Sequence, residues 1–417
     1  MPSLLTRFLP PTPLARRLSA QSILFAIGEG TFLTGSAVFF TQIVGLSAAR
    51  VGLGLTIAGM VAFFFAVPLG RLADRVGPKR MWATGALAEA LLYLAYPLVH
   101  GFGPFVAMVI ALQLVDVAGG AGRGAYTLDV FTREERVRSL AFMRSALNIG
   151  FTLGALLGGL ALATNRDDVV RAVPLVTSGI LTLNALLISR LPKAAHDEAA
   201  GAKGAEKKRV VTPGALRNKA FLGLSVCNGV LGTNQVLLNV VIPLWLVQET
   251  DAPRVLLAWL FGTNTVLAVL LQVAAARGVD SVSTSLRATR ISAGFFVLSC
   301  LIVMVTHDTI GWSTILLVWL GHVTVTGAEL FQSAANWGLQ AELSDPDRRG
   351  EYQGAARLGG TVGSVWAPAA YTFLAMDLGT IGWLLIAACG VLAAAGAHPT
   401  ARAAGRYLAR HAAGQPA

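Results

Sequence analysis

The apolar residues of this chain come in blocks of roughly 20, the length at which a helix crosses about 30 Å of hydrocarbon. Twelve such blocks lie at roughly 19–45, 51–70, 80–99, 103–127, 137–163, 170–190, 219–248, 255–276, 290–306, 311–341, 352–376 and 379–397. A water-soluble surface normally carries about a quarter charged residues, whereas this chain has 13% charged and 54% hydrophobic. A membrane β-barrel would need short alternating segments, and none is present. The pattern predicts an all-α polytopic membrane protein with twelve transmembrane helices. Frequent Gly and Pro inside the blocks fit that class, because neighbouring helices re-satisfy freed backbone groups.

The net charge of +11 suits a nucleic-acid partner by magnitude but not by distribution. With a cytoplasmic N-terminus, 29 of the 33 Lys and Arg fall in inside segments. The outside loops hold Arg50, Arg166, Arg171 and Arg254. That asymmetry is the positive-inside rule, and it sets both termini in the cytoplasm with no nucleic-acid partner. The three cysteines, Cys227, Cys300 and Cys389, all lie in apolar blocks and read as packing residues rather than a disulfide or metal set. The first block follows Arg7, Arg16 and Arg17 without a cleavage site after it, so it reads as a retained helix. Abundant Ala, Gly and Arg suggest a GC-rich bacterial coding bias and hence a bacterial plasma (inner) membrane.

The longest polar stretch, with Lys193, His196, Asp197, Glu198, Lys203, Glu206, Lys207, Lys208 and Arg209, separates the sixth and seventh blocks. The expected organisation is a cytoplasmic tail at 1–18, a six-helix bundle at 19–190, a linker at 191–218, a second six-helix bundle at 219–397 and a cytoplasmic tail at 398–417. The bundles look pseudo-symmetric. Arg136, Arg138 and Arg144 precede Gly150, Gly154, Gly158 and Gly159, as Arg348, Arg349 and Arg357 precede Gly359, Gly360 and Gly363.

Between the second and third blocks lies Gly70-Arg71-Leu72-Ala73-Asp74-Arg75-Val76-Gly77-Pro78-Lys79-Arg80. This string resembles the loop motif between helices 2 and 3 of the major facilitator superfamily, with Gly70, Ala73, Asp74, Arg75, Gly77, Lys79 and Arg80 matching and Pro78 a variant of the first basic position. Residues Gly150 to Gly159 are similar to the helix-5 motif of the drug/proton antiporter branches, with Ala155 where that motif has Pro. The arginine often found mid-helix 4 in the superfamily is absent. Val115 and Asp116 stand there, and Arg123 lies nearer the cytoplasmic end.

The resemblance, covering about residues 19–397, implies a transporter of small molecules and not an enzyme, with no catalytic residue, cofactor or metal. It implies that Asp74 approaches the N-terminus of helix 11, expected near 350–352, as part of a gating set with Gly70, Arg75, Gly77, Lys79, Arg80 and Arg123. It also implies that helices 1, 4, 7 and 10 line a cavity.

An ionised group at mid-membrane costs about 2.5–3.5 kcal/mol on insertion scales. Glu29, Glu89, Asp116 and Glu329 are such groups. Glu29 lies roughly 15 Å from the inner end of its helix and Asp116 roughly 20 Å from the outer end of its own, at 1.5 Å per residue. Desolvation favours a neutral carboxyl and wetting an ionised one, so Glu29, Asp116 and Glu329 are the candidates for proton coupling. Glu89, on a peripheral helix, carries no functional expectation. Gln113, Asn234, Gln235, Asn239, His322 and Asn336 are the candidates for substrate binding. The expected function is proton-coupled efflux of a small organic, drug-like or secondary-metabolite compound by a monomer in the lipid bilayer. The alternative is proton-coupled import of a metabolite.

Overall fold

The computed structural model describes residues 9–194 and 214–412, and every regular element among them is helical. The expected tails and linker therefore fall partly outside the described residues.

The first helices are α1 (Pro13–Val38), α2 (Ala48–Val76), α3 (Pro78–Ala95), α4 (Phe102–Val130), α5 (Arg133–Ala163) and α6 (Asp167–Ser189). A segment α7 (Lys219–Gln248) follows, broken after Leu231 and loosened into a π turn at Leu237–Val241. Then come α8 (Leu256–Ala275), α9 (Val282–Met304), α10 (Trp312–Leu343) and α11 (Arg349–Ala412). Gly379, at φ 51° and ψ −123°, is non-helical and breaks α11 into two arms.

Ten segments among the described residues are long and apolar enough to cross a bilayer. The more polar α3, which holds Lys79, Arg80 and Glu89, is not one of them. Adding α3 and dividing α11 at Gly379 is consistent with the twelve expected helices. The observed helices overrun the expected ends, because helical hydrogen bonding does not stop where hydrocarbon stops. Thr12 caps α1, with its Oγ1 accepting from Ala15 N at 3.2 Å. The second arm of α11 continues past the expected end at 397 through Arg402 and Arg406, good helix formers in a polar setting.

The chain divides into two compact units, Met1–Arg209 with Pro346–Gly354, and Val210–Asp345 with Ala355–Ala417. In the first, α5 lies against α1 through glycines four apart. A Cβ at Gly150 would strike the Ile23 carbonyl oxygen, at Gly154 that of Ile27, and at Gly158 that of Thr31. In the second, the first arm of α11 meets α7 in the same way: a Cβ at Gly359 would strike the Ser225 carbonyl oxygen and at Gly363 that of Gly229. Small residues let backbones approach where lipid offers no hydrophobic drive between helices. Large apolar side chains such as Phe64, Leu160, Val365 and Leu392 remain exposed, as a hydrocarbon-facing surface requires.

Gly77 joins α2 to α3 at φ 105°, a conformation that only glycine adopts without strain. Pro78 follows at the first position of α3, where its missing N–H costs nothing.

Candidate functional site

In the first unit, the α2–α3 turn aims the Asp74 carboxylate at the start of α11. Gly350 N donates to Oδ1 at 2.6 Å and Glu351 N to Oδ2 at 2.8 Å. Those N–H groups have no intrahelical acceptor, and the helix end carries partial positive charge, so a carboxylate is the matching cap. Gly70 permits the approach, since a Cβ there would strike the Gly350 carbonyl oxygen. Lys79 Nζ donates to the carbonyls of Ser189, at 2.9 Å, and Leu191. Arg75 and Arg80 are exposed.

Sequence reasoning left out the ion pairs around this turn. Arg71 pairs with Glu351 at 3.0 Å, Arg348 pairs with the other Glu351 oxygen at 3.1 Å, and Arg349 pairs with Asp129. Arg71 lies inside the quoted string, so its pairing had a signal. Asp129 sits at the polar end of α4 and had none.

A cavity of about 110 Å³ opens among α1, α3, α4 and α6. Glu89, Asp116 and Arg123 line it, with Gln21, Trp82 and Asn184. Arg123, grouped by sequence with the gating loop, lies here instead. Its Nη2 donates to Ser22 Oγ at 2.9 Å, and its guanidinium lies 6.0 Å from the Phe25 ring and 5.9 Å from the Trp82 ring. Glu89, for which the sequence carried no functional expectation, joins Asp116 on the cavity wall. The cause is a backbone approach: Gly85 lies so close to Gly119 that a Cβ on it would be 3.1 Å from the Gly119 Cα. Glu29 lies one helix turn beyond Phe25 and accepts from Tyr93 Oη at 3.1 Å. Gln113, one turn before Asp116, is not on this wall.

In the second unit, a cavity of about 190 Å³ is lined by the amides of Asn228, Gln235, Gln332, Asn336 and Gln340 beside apolar side chains such as Phe221, Leu224 and Leu339. Asn336 accepts from Gln340 at 3.0 Å, and Asn239 donates to the Gln235 carbonyl at 2.8 Å. Asn234 is buried at 1% exposure, and neither of its side-chain amide atoms has a hydrogen-bond partner among the described residues. His322 is buried beside Phe261, ring centroids 6.5 Å apart. Glu329 is buried and accepts from Asn264 Nδ2 at 3.2 Å, and the same nitrogen lies 3.1 Å from Thr326 Oγ1. Asn264 was missed; an amide in the middle of an apolar span was the available signal. Among the described residues no group of three His, Cys, Asp or Glu side chains is placed to hold a metal ion.

The family model described as Major Facilitator Superfamily matches residues 18–368. A Na(+), Li(+), K(+)/H(+) antiporter of Planococcus maritimus is 27% identical over 373 residues, which is 83% of this chain and 82% of that protein. The multidrug resistance protein MdtG of Escherichia coli is 28% identical over 137 residues, about a third of either chain. Among solved structures, the proton:xylose symporter XylE aligns with a TM-score of 0.70 at 14% identity, covering 92% of this chain and 94% of its own.

Proposed function

The chain belongs to the major facilitator superfamily, and on that premise we propose that it is a proton-coupled exporter of small organic compounds. That it is a multi-pass membrane transporter and not an enzyme follows from the family. The finer reading is carried by one observation: the carboxyls of Glu89 and Asp116 line a cavity in the first unit, and Glu29 lies one helix turn from Phe25 on its wall. A carboxyl that exchanges a proton for a substrate, with access alternating between the two sides, couples transport to the proton gradient.

In this reading Glu29 is the primary proton carrier, with Asp116 and Glu329 in supporting roles. Asn234, Gln235, Asn239 and Asn336, with Gln113 and His322, recognise the polar parts of the substrate. Asp74 caps the first turn of α11 and serves as a releasable latch. The protein acts as a monomer in a bacterial inner membrane with both termini in the cytoplasm. The export direction is supported by the similarity to MdtG and by the Gly150–Gly159 motif. A second reading, exchange of a monovalent cation for protons, is supported by the longer similarity to the Planococcus antiporter.

Everted membrane vesicles separate the outcomes. With a preset inside-acid gradient, an exported compound dissipates the gradient on addition in vesicles carrying the protein and not in control vesicles. Sodium, lithium or potassium doing so in place of every organic compound tested selects the second reading. Gradient-driven uptake by intact cells contradicts export.

A further inference from the structure

The cavity of the second unit lies among α7, α10 and the first arm of α11, and no charged side chain lines it among the described residues. Its hydroxyls are already spent as donors on their own helices. Ser225 Oγ donates to the Phe221 carbonyl at 2.9 Å, Thr233 Oγ1 to that of Val230 at 2.6 Å and Ser364 Oγ to that of Thr361 at 3.0 Å. The carboxamides are not spent. Asn228 is 9% exposed, and its side-chain amide makes no hydrogen bond among the described residues. Gln332 uses only Nε2, which donates to the Asn228 backbone carbonyl at 3.4 Å. Gln340 donates from Nε2 to Asn336 Oδ1 at 3.0 Å, which leaves an acceptor on Gln340 and a donor on Asn336.

A simple cation or anion would leave water for a site with no opposite charge. A purely apolar ligand would displace water from the amides and offer them nothing in exchange. An uncharged ligand with both donors and acceptors matches them. The rest of the lining narrows its shape. Phe221, Leu224, Val236 and Leu339 are apolar, so a polyol, with hydroxyls around its whole periphery, would turn several of them against hydrocarbon. A flat ring with a polar edge and apolar faces would not. Drug-sized ligands occupy pockets of about 300–1,000 Å³, and this cavity is about 190 Å³, so it suits one small ring.

Asn228 carries a donor and an acceptor side by side on one planar group. A carboxamide of this kind holds an adjacent acceptor and donor on a ring edge through two hydrogen bonds, as Asn and Gln hold adenine. We infer that this cavity binds a small uncharged cyclic amide, of the lactam, imide or pyrimidinedione type, with its C=O and adjacent N–H on Asn228. Gln332 and Asn336 meet its remaining donors and acceptors, and the apolar side chains cover its ring faces. Such compounds are then the substrate class of the transporter proposed above, and their passage through the cycle rests on that reading.

One position on the wall allows the cavity to be filled without disturbing the packing. A Cβ at Gly360 would meet no atom within 4 Å, so a larger side chain there enters open space.

The test is equilibrium binding of radiolabelled uracil to the purified full-length protein in detergent, with no pH gradient. Saturable binding is expected, displaced by unlabelled hydantoin. At ten times the hydantoin concentration, 1,3-dimethyluracil, which keeps the ring and both carbonyls but has no N–H, should not displace it, and neither should erythritol. Gly360→Leu and Asn228→Leu are each expected to weaken binding at least about tenfold, with unfolding temperatures like that of the parent. Absence of saturable binding overturns the proposal, as does undiminished binding by folded Gly360→Leu. Displacement by 1,3-dimethyluracil as effective as that by hydantoin also overturns it, and so does equally effective displacement by erythritol, which would mark a polyol site. The competition uses the unmodified protein, so its outcome holds even where a variant fails to fold. The two readings also fail separately. Uracil binding with no gradient dissipation by any organic compound in vesicles removes proton-coupled export alone. Dissipation by organic compounds with no uracil binding removes the cyclic-amide site alone.

Discussion

Asp74→Asn is expected to leave the protein in the membrane at the parent's level and to reduce transport at least tenfold. The carboxylate accepts from two N–H groups, Gly350 at 2.6 Å and Glu351 at 2.8 Å. Each hydrogen bond to a charged group is worth about 1.5–3 kcal/mol, and a carboxylate at a helix N-terminus gains about 0.3–1 kcal/mol more. Asparagine keeps the size and one acceptor but turns an amide N–H₂ toward one of the donors and removes the charge. Since about 1.4 kcal/mol is tenfold in an equilibrium constant, loss of one such bond already shifts a two-state latch by that factor or more. Arg71 and Arg348 still hold Glu351, so the fold survives and the loss falls on the cycle. Asp74→Glu, which restores the charge on a longer stem, should recover part of the activity. Transport by Asp74→Asn at the parent's rate, measured at matched expression, would remove the latch.

The larger effect is expected at Glu29. Glu29→Gln keeps the shape and an oxygen to accept from Tyr93 Oη, now 3.1 Å from the carboxyl, so the helix packing is retained. What it loses is the exchangeable proton. Gradient-driven transport should fall at least about 100-fold, equivalent to about 2.7 kcal/mol. Gradient-independent counterflow of substrate should persist, because binding and reorientation remain. Tyr93→Phe removes the hydrogen bond and leaves the carboxyl, so a few-fold loss is expected there. Glu29→Gln with intact gradient-driven transport would pass the role of proton carrier to Asp116 or Glu329.

The all-helical, many-spanning character was readable in the sequence because a bilayer dictates it: every backbone group must be satisfied within a span of about 20 apolar residues. Helix ends were not, since α11 runs on past 397 into polar residues that still favour a helix. The break in α7 after Leu231 and the π turn at Leu237–Val241 carry no hydropathy signal.

The loop at Gly70–Arg80 was legible as a motif, and its glycines have a physical reason in the φ of Gly77 and the backbone approach at Gly70. The acids were legible as costly residues in apolar blocks. Their grouping was not. Glu89 reaches the wall beside Asp116 only because Gly85 and Gly119 bring α3 and α4 together, and Arg123 turns into that cavity rather than toward the loop. Which face of a helix meets its neighbour is decided by such contacts, and a single sequence does not display them.

The account depends on water reaching the acid cavity from one side of the membrane at a time. Phe25 lines that cavity one turn from Glu29, so a cysteine there reports on it. Phe25→Cys, with Cys227, Cys300 and Cys389 replaced by Ser, is reconstituted in oriented vesicles and exposed to an impermeant thiol reagent. The account predicts labelling from either side in separate experiments, with the favoured side reversed when the imposed pH gradient is reversed. No labelling from either side, at full reactivity in denaturant, would contradict it.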